Sequence, residues 1–557
     1  MRKIKYQWFL LRMALKTGAV LTWLDYLVYR TPLKGLWKHL HGHRFHKSTI
    51  FWFKEGGGIH TRAVFLLSRL RSTYPNLQSL DMDFEYYDEA GRLVKRWTTK
   101  ESAAKEMFLL DSQELPKEFQ IPKPFSGSLL VKQTLHLSEK EVLNKGEIFS
   151  STSTYLDYYS EGNFIATVHD YCAYLPDQGM NYGSLGMIPA YCEARSETFL
   201  IFHASKPGIG PKDIEVILLN KKGEKKTAFI PGLKPFAMRR WMLSGLFPDA
   251  ADFLDGEDGQ VVIEGIFRQL LRRIAYGVLD KNKQSFTLDH CYYSLFPKKP
   301  FMPSSERAKI AKGWFNPFFV MENEFVTTTA SLFQDSRDPD KKKVDLLIYD
   351  DKGKKVASFS PFAHLAGNEV KNISFKEIFK SEKLPLPFAG HAELIYHKEP
   401  GISSYPNDLD VNIDLDSHDG RKLATVGVGS YQWNPSHMIE NKSYKSVCRA
   451  VCNEHQTTYL SISNCSYDYE YRLEHAFTVS LFSEDGVVAS RRMTIGPNAT
   501  LYRSVEEFFP DARELLKKSR GVGLIALTDL SADCLANLFI TEDRRSRALS
   551  IEHSLAY

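Results

Sequence analysis

The sequence predicts a mainly all-β protein: four tandem β-sandwich-like modules with short helical crossings, preceded by an N-terminal amphipathic basic helix. Three observations carry this reading. Turn-type glycines recur at a long, even period, apolar residues alternate at period two before each of them, and the basic charge is concentrated at the N-terminus.

The glycines are Gly91, Gly223, Gly353 and Gly486, spaced 132, 130 and 133 residues apart, each at the end of a short polar run. Such runs are hairpin chemistry. Nine, seven and five positions before each glycine stand Met82, Phe84 and Tyr86; Ile214, Val216 and Leu218; Val344, Leu346 and Ile348; and Phe477, Val479 and Leu481. All are apolar, and alternation at period two places them on one face of a strand. The intervening residues, among them Asp83, Glu215, Asp345 and Ser480, imply a wet opposite face.

A second glycine follows at Gly127, Gly259, Gly390 and Gly521, at offsets of 36, 36, 37 and 35. It introduces another strand, with Val131, Ile263, Leu394 and Ile525 four residues further on. The segment between the two glycines reads as a short helix or Ω-like crossing. Each copy then closes on a strand at 166–170, 287–290, 424–427 and 550–553, the last next to the final residue Tyr557. Before that strand, copies 1 and 3 carry Ser150 to Asn163 and Ser403 to Asp419, rich in Tyr, Ser and Asp and expected to be insert loops.

A unit of about 100 to 130 residues with short alternating strands suits a sandwich, whereas propeller blades repeat at roughly 40–50 residues. The expected layout is an arm at 1–50 and modules at 51–180, 190–296, 313–433 and 456–557, with linkers at Pro176–Pro189, Pro297–Ser305 and Asn434–Thr457.

Residues 1–50 hold ten Lys and Arg against the single acid Asp25, while the remainder carries 62 bases against 66 acids. Lys5, Arg12, Lys16 and Arg30 fall on one helical stripe and Pro32 ends it. Charges within the apolar run disfavour a transmembrane span. An anionic membrane surface is the expected contact, made by Lys5, Trp8, Arg12, Lys16, Trp23 and Arg30. The same stripe suits nucleic acid, which is ranked below. Seven scattered cysteines do not form a disulfide framework, so a reducing, cytoplasmic setting is expected.

Three clusters could carry chemistry. His39, His41, His43 and His46 lack the Cys or carboxylate partners of a structural metal site, and Cys448, Cys452 and Cys465 with His455 have unspecific spacing. The third is the pair of acid–His doublets Asp289-His290 and Glu552-His553. Adjacent strand residues point to opposite faces, so neither acid should orient its neighbour. Both histidines are expected on the apolar, core-side face as satisfied core groups. No catalytic residue, metal ligand or cofactor is therefore expected, and no nucleotide, hydrolase-elbow or zincin motif is present.

Repetition without repeated polar chemistry favours a non-enzymatic interaction or scaffold protein whose partners are other proteins, met through loop residues Tyr155, Tyr158, Tyr159, Tyr405 and Asp408. The alternative is glycan binding or a polysaccharide-processing accessory role, using the same aromatic-rich segments.

Overall fold

The computed structural model describes residues 44–557 apart from 69, 71–76, 103, 138–151, 161–162, 173–182, 207, 258, 266–273, 295–312, 334–341, 366–368, 398–410, 429–430, 433–443, 466–472, 531–535, 554 and 557. Among the described residues the chain is mostly β, in eight antiparallel sheets of four or five strands.

The first two sheets use β1 (Arg44–Glu55), β2 (His60–Leu66), β3 (Leu77–Asp88), β4 (Leu93–Ser102), β5 (Met107–Asp111), β6 (Phe125–Leu137), β7 (Thr152–Ser160) and β8 (Phe164–Cys172). The next two use β9 (Gly183–Ala190), β10 (Ser196–His203), β11 (Ile214–Leu219), β12 (Lys225–Phe229), β13 (Met238–Met242), β14 (Gly259–Gly265), β15 (Ala275–Asp280), β16 (Ser285–Phe286), β17 (Asp289–His290) and β18 (Tyr292–Ser294). Then come β19 (Gly313–Glu322), β20 (Val326–Phe333), β21 (Lys342–Tyr349), β22 (Lys355–Leu365), β23 (Val370–Ser374), β24 (Phe388–His397), β25 (Val411–Ser417), β26 (Lys422–Val428) and β27 (Tyr431–Gln432). The last set is β28 (Tyr444–Val451), β29 (Gln456–Ser463), β30 (His475–Ser483), β31 (Gly486–Ile495), β32 (Thr500–Ser504), β33 (Val522–Leu530), β34 (Ala536–Asp543), β35 (Leu549–His553) and β36 (Leu555–Ala556).

One strand order repeats through all four sets. The first sheet runs β4-β3-β6-β1, β12-β11-β14-β9, β22-β21-β24-β19 and β31-β30-β33-β28. The second runs β5-β2-β7-β8, β13-β10-β15 with β16 and β17, β23-β20-β25-β26 and β32-β29-β34-β35. Short helices at Leu243–Leu246, Ala250–Leu254, Phe375–Glu382, Val505–Phe508 and Ala512–Leu515 occupy the crossings in sets 2 to 4, and two 3-10 turns do so in set 1.

The alternation read from the sequence holds. All twelve residues counted back from the turn glycines lie on β3, β11, β21 and β30 and have no exposed surface. The second glycine needs one correction. A Cβ at Gly127, Gly259 or Gly390 would stand 2.1–2.4 Å from the carbonyl oxygen of Tyr87, Leu219 or Tyr349, and in the fourth set the matching contact, 2.6 Å from the Phe482 oxygen, belongs to Gly523. Gly521 is instead a left-handed residue preceding β33, with φ of 75°.

Several expected boundaries also move. Ser150 to Asn163 is not an insert loop, because it contains β7, and Ser403 to Asp419 contains the whole of β25. Pro176–Pro189 contains all but the last residue of β9 and Asn434–Thr457 contains β28, Pro297–Ser305 lies outside the described residues, and β1 starts at Arg44, ahead of the expected boundary at 51. Each of these strands is buried on both faces or hydrogen-bonded into a sheet interior, so neither shows the amphipathic alternation that marks the others.

The two sheet types differ in burial. β10 is buried at all eight positions, and β2 and β29 have one half-buried residue each, whereas β12 has none buried and β4 only two of ten. Alternate residues explain it. Leu200 and Phe202 share a core with Val216, Ile263 and Trp241 of their own set, while Phe199 and Ile201 share one with Trp52, Phe84 and Tyr158 of the first. Likewise Val64, Leu66 and Tyr155 join the core of the fourth set, and Leu538, Ile540 and Ile551 join that of the third. Each second sheet is thus covered by its own first sheet and by the first sheet of the preceding set.

The resulting contacts form a closed circuit. Ser128 and His203 meet at 2.9 Å between sets 1 and 2, and His391 and Thr500 at 2.9 Å between sets 3 and 4. Sets 2 and 3 are joined by hydrogen bonds from Tyr191 to Asp414 (2.7 Å) and from Tyr276 to Asn412 (2.8 Å). Sets 4 and 1 are joined by Tyr155 Oη donating to the Val447 carbonyl (3.0 Å) and by Lys105 on Glu484 (2.6 Å). Heterologous head-to-tail contacts close a ring when the successive rotations add to a full turn.

The same strand position carries different charge economies. Glu55, at the end of β1, is buried, yet hydrogen bonds from Lys123 and Ser112 and the neighbouring His60 hold its carboxyl below the usual range. Its counterpart Glu322 ends β19 with hydrogen bonds from the Thr328 amide and Thr327 hydroxyl, and burial pushes it up to about 7. A carboxyl whose folded value lies above its unfolded one binds its proton more tightly in the native state. Its stabilising contribution is therefore complete below pH ~4.5 and lost as pH rises through ~7. Glu322→Gln keeps the acceptor and removes the titration, so urea unfolding should show stability at pH 8 raised by about 1–3 kcal/mol and a flatter pH profile between those limits; an unchanged profile would refute this role.

Candidate metal centre where the closing strands meet

The last strands of the four second sheets, β8, β17, β26 and β35, contact one another in cyclic order. Register identifies the equivalent positions. Val168, Asp289, Val426 and Glu552 pair with Leu156, Tyr276, Ile413 and Phe539. The next residues are His169, His290, Gly427 and His553. At these equivalent positions the four copies together place two carboxylates and three imidazoles.

His169 Nε2 lies 3.0 Å from His290 Nε2. The rings of His169 and His553 have centroids 4.3 Å apart, and one nitrogen from each of the three histidines lies within 4.8 Å of the others. His169 and His290 are buried, while the His553 side chain keeps 25% of its surface, giving the cluster one solvent-facing side.

The acids belong to the same assembly. Glu552 Oε1 is 3.2 Å from His169 Nδ1 and 3.7 Å from His553 Nε2, and Glu552 Oε2 accepts the His169 amide at 2.9 Å. Asp289 accepts the Gly427 amide (2.7 Å), the His290 amide (2.7 Å) and the Tyr276 hydroxyl (3.1 Å). Burial raises both carboxyls above their ordinary values, and for Asp289 the charge of Glu552 adds to the effect. Two buried acids beside three imidazoles form a site suited to a cation.

A buried ion-pair network lies beside it. Arg449, with no exposed surface, reaches Asp157 Oδ1 at 3.1 Å and donates to Thr167 and Thr541 at 3.0 Å each. Arg62 lies 3.6 Å from the other Asp157 oxygen and 3.0 Å from Asp111. Arg449 thus joins the first and fourth sets through a fully buried ion pair.

The histidines correct the sequence reading. His290 and His553 do not face their own core. Phe286 and Leu288 pack with the first set, and Leu549 and Ile551 with the third, so the face they share with the histidines is turned to a neighbouring copy. Glu552 accepts the amide of its sequence neighbour His553 at 2.8 Å, but its nearer imidazole is that of His169, 383 positions earlier. The signal available in sequence was the recurrence of His at one repeat position in three copies.

The other expected sites fare differently. Tyr155, Tyr158 and Tyr159 lie on β7, not in an exposed loop, and are at most 3% exposed, with Tyr155 packed against Phe539 and Tyr158 stacked on Trp52. Tyr405 and Asp408 lie outside the described residues, as do Lys5, Trp8, Arg12, Lys16, Trp23 and Arg30, and the side chains of His39, His41, His43 and His46. Cys448, Cys452 and Cys465 are buried free thiols, and burial pushes Cys448 and Cys452 up to about 12. Among the described residues, the His169, His290 and His553 group is the one set of three or more ligand-type side chains gathered closely enough for a metal.

Neither the protein-family models nor the curated proteins contain a match to this chain.

Removing one partner of a buried ion pair leaves its mate uncompensated, at a cost of about 3–5 kcal/mol. Asp157→Asn should accordingly lower the urea midpoint sharply and raise hydrogen exchange in both β7 and β28; a shift confined to the first set would show that the pair does not join the two.

Proposed function

We propose that each pair of sheets is one β-sandwich module and that the protein is a non-enzymatic, multi-module interaction body whose partners are other proteins. What supports this is the closed circuit of contacts, which commits the second sheets to the interior and leaves the strands β4, β12, β22 and β31 as outward edges. Leu93 (53% exposed), Phe229 (49%) and Val487 (57%) lie on three of these edges, beside Lys95, Arg96, Lys225, Lys226, Arg491 and Arg492. An open edge with alternate apolar side chains suits a partner that adds a strand, and the interleaved bases select against self-association.

A photo-crosslinking residue at Phe229 or Val487, introduced into the native cell, is expected to yield the same discrete protein adducts from both edges. Adducts no different from those at exposed Lys222 would remove the edge from the proposal. The glycan-binding alternative draws no support from Tyr155, Tyr158 and Tyr159, whose ring faces are already covered.

The basic N-terminal segment is proposed to hold this body at an anionic membrane surface on the cytoplasmic side. Its charge and helical spacing support that reading, and among the described residues no helix is long and apolar enough to cross a membrane. Deleting residues 1–43 should abolish co-flotation with vesicles containing phosphatidylserine; equal flotation of the two forms would dispose of the anchor.

A further inference from the structure

We propose that His169, His290 and His553 bind one zinc ion, joining the first, second and fourth sheet pairs at the centre of the molecule. The three imidazoles come from strands more than a hundred residues apart, so their convergence is a product of the closed fold rather than of local sequence. Imidazole nitrogens held at zinc distances of ~2.0–2.1 Å in a tetrahedron are about 3.3 Å apart. His169 and His290 already stand at 3.0 Å and all three fall within 4.8 Å, and the partly exposed His553 side chain is the one with room to adjust.

Three further features fit a metal rather than a simple stack of rings. Glu552 lies 3.2 Å from His169 Nδ1 while Nε2 of the same ring faces His290, the carboxylate–histidine arrangement found around bound metals. Asp289 and Glu552 place two buried carboxyl groups in the layer next to the imidazoles, where a bound divalent cation would favour their ionised forms. At the fourth equivalent position stands Gly427, so set 3 contributes no side-chain ligand and the fourth coordination place is left to water. Three neutral nitrogens with an open position suit zinc among the available divalent ions.

The test uses the full chain with His39, His41, His43 and His46 replaced by Ser, which removes the other histidine-rich segment. After chelator treatment, titration with Co²⁺ as a spectroscopic stand-in should give visible bands of a tetrahedral site saturating at one equivalent, and Zn²⁺ should displace it. Zinc should also raise the Tm, because an ion that binds only the folded state stabilises it by mass action. His553→Ala, at the partly exposed edge and expected to fold, should weaken binding at least 100-fold, and Glu552→Gln should weaken it about 10- to 100-fold. His290→Ala, with folding checked by circular dichroism, should abolish the Co²⁺ bands. Absence of saturable binding below about 100 μM, or binding that His553→Ala leaves unchanged, would overturn the proposal.

Discussion

The arrangement depends on one constraint: the second sheet of every pair has two faces to bury and only one partner within its own set. Phe199, Ile201, Phe286 and Leu288 show the scale. Leaving four such side chains in water would forfeit on the order of 6–12 kcal/mol, comparable to the whole net stability of a typical domain. The first sheet of the preceding copy supplies the missing cover. When four copies do this in succession, the second sheet of the first copy is the last uncovered surface, and the fourth copy closes on it through Tyr155, Val447 and the Asp157–Arg449 pair.

The junctions satisfy that constraint by different chemistry. Sets 1 and 2 meet through an aromatic cluster in which Trp52 packs against Phe286 and Tyr158. Sets 3 and 4 meet through stacked Phe319, Tyr502 and Tyr459. Sets 2 and 3 instead match hydrogen-bonding groups, Tyr191 to Asp414 and Tyr276 to Asn412. Apolar cover is tolerant of small shifts, whereas hydrogen bonds and ion pairs fix register. The polar junctions therefore set how the closing strands align, and through them how His169, His290 and His553 meet.

Repetition and divergence fall in different places. The turn glycines and the alternating faces of β3, β11, β21 and β30 are retained in all four sets. At the axis the four copies differ by residue type, with Val168, Asp289, Val426 and Glu552 in one layer and His169, His290, Gly427 and His553 in the next. A residue on the axis meets three non-identical neighbours, so a symmetric sequence is not required there. Two copies carry an acid there and three an imidazole.

Some of this was written in the sequence alone. A strand with one buried and one wet face must alternate, so Met82, Phe84 and Tyr86 and their nine counterparts declared their face, and the turn glycines declared their hairpins. β7 could not declare itself, because Tyr155, Leu156, Asp157, Tyr158 and Tyr159 are all buried and no period survives when both faces are covered. Gly521 and Gly523 stand close together in the sequence, and only packing against the Phe482 carbonyl tells them apart. The histidines were visible as a recurring residue, but their partners lie on other strands hundreds of positions away. The sequence by itself determined the repeat, its turns and the core face of one sheet type, since these depend on neighbours along the chain. Only the tertiary structure decided the second buried face, the closure and the His–acid centre, because those depend on which copy lies against which.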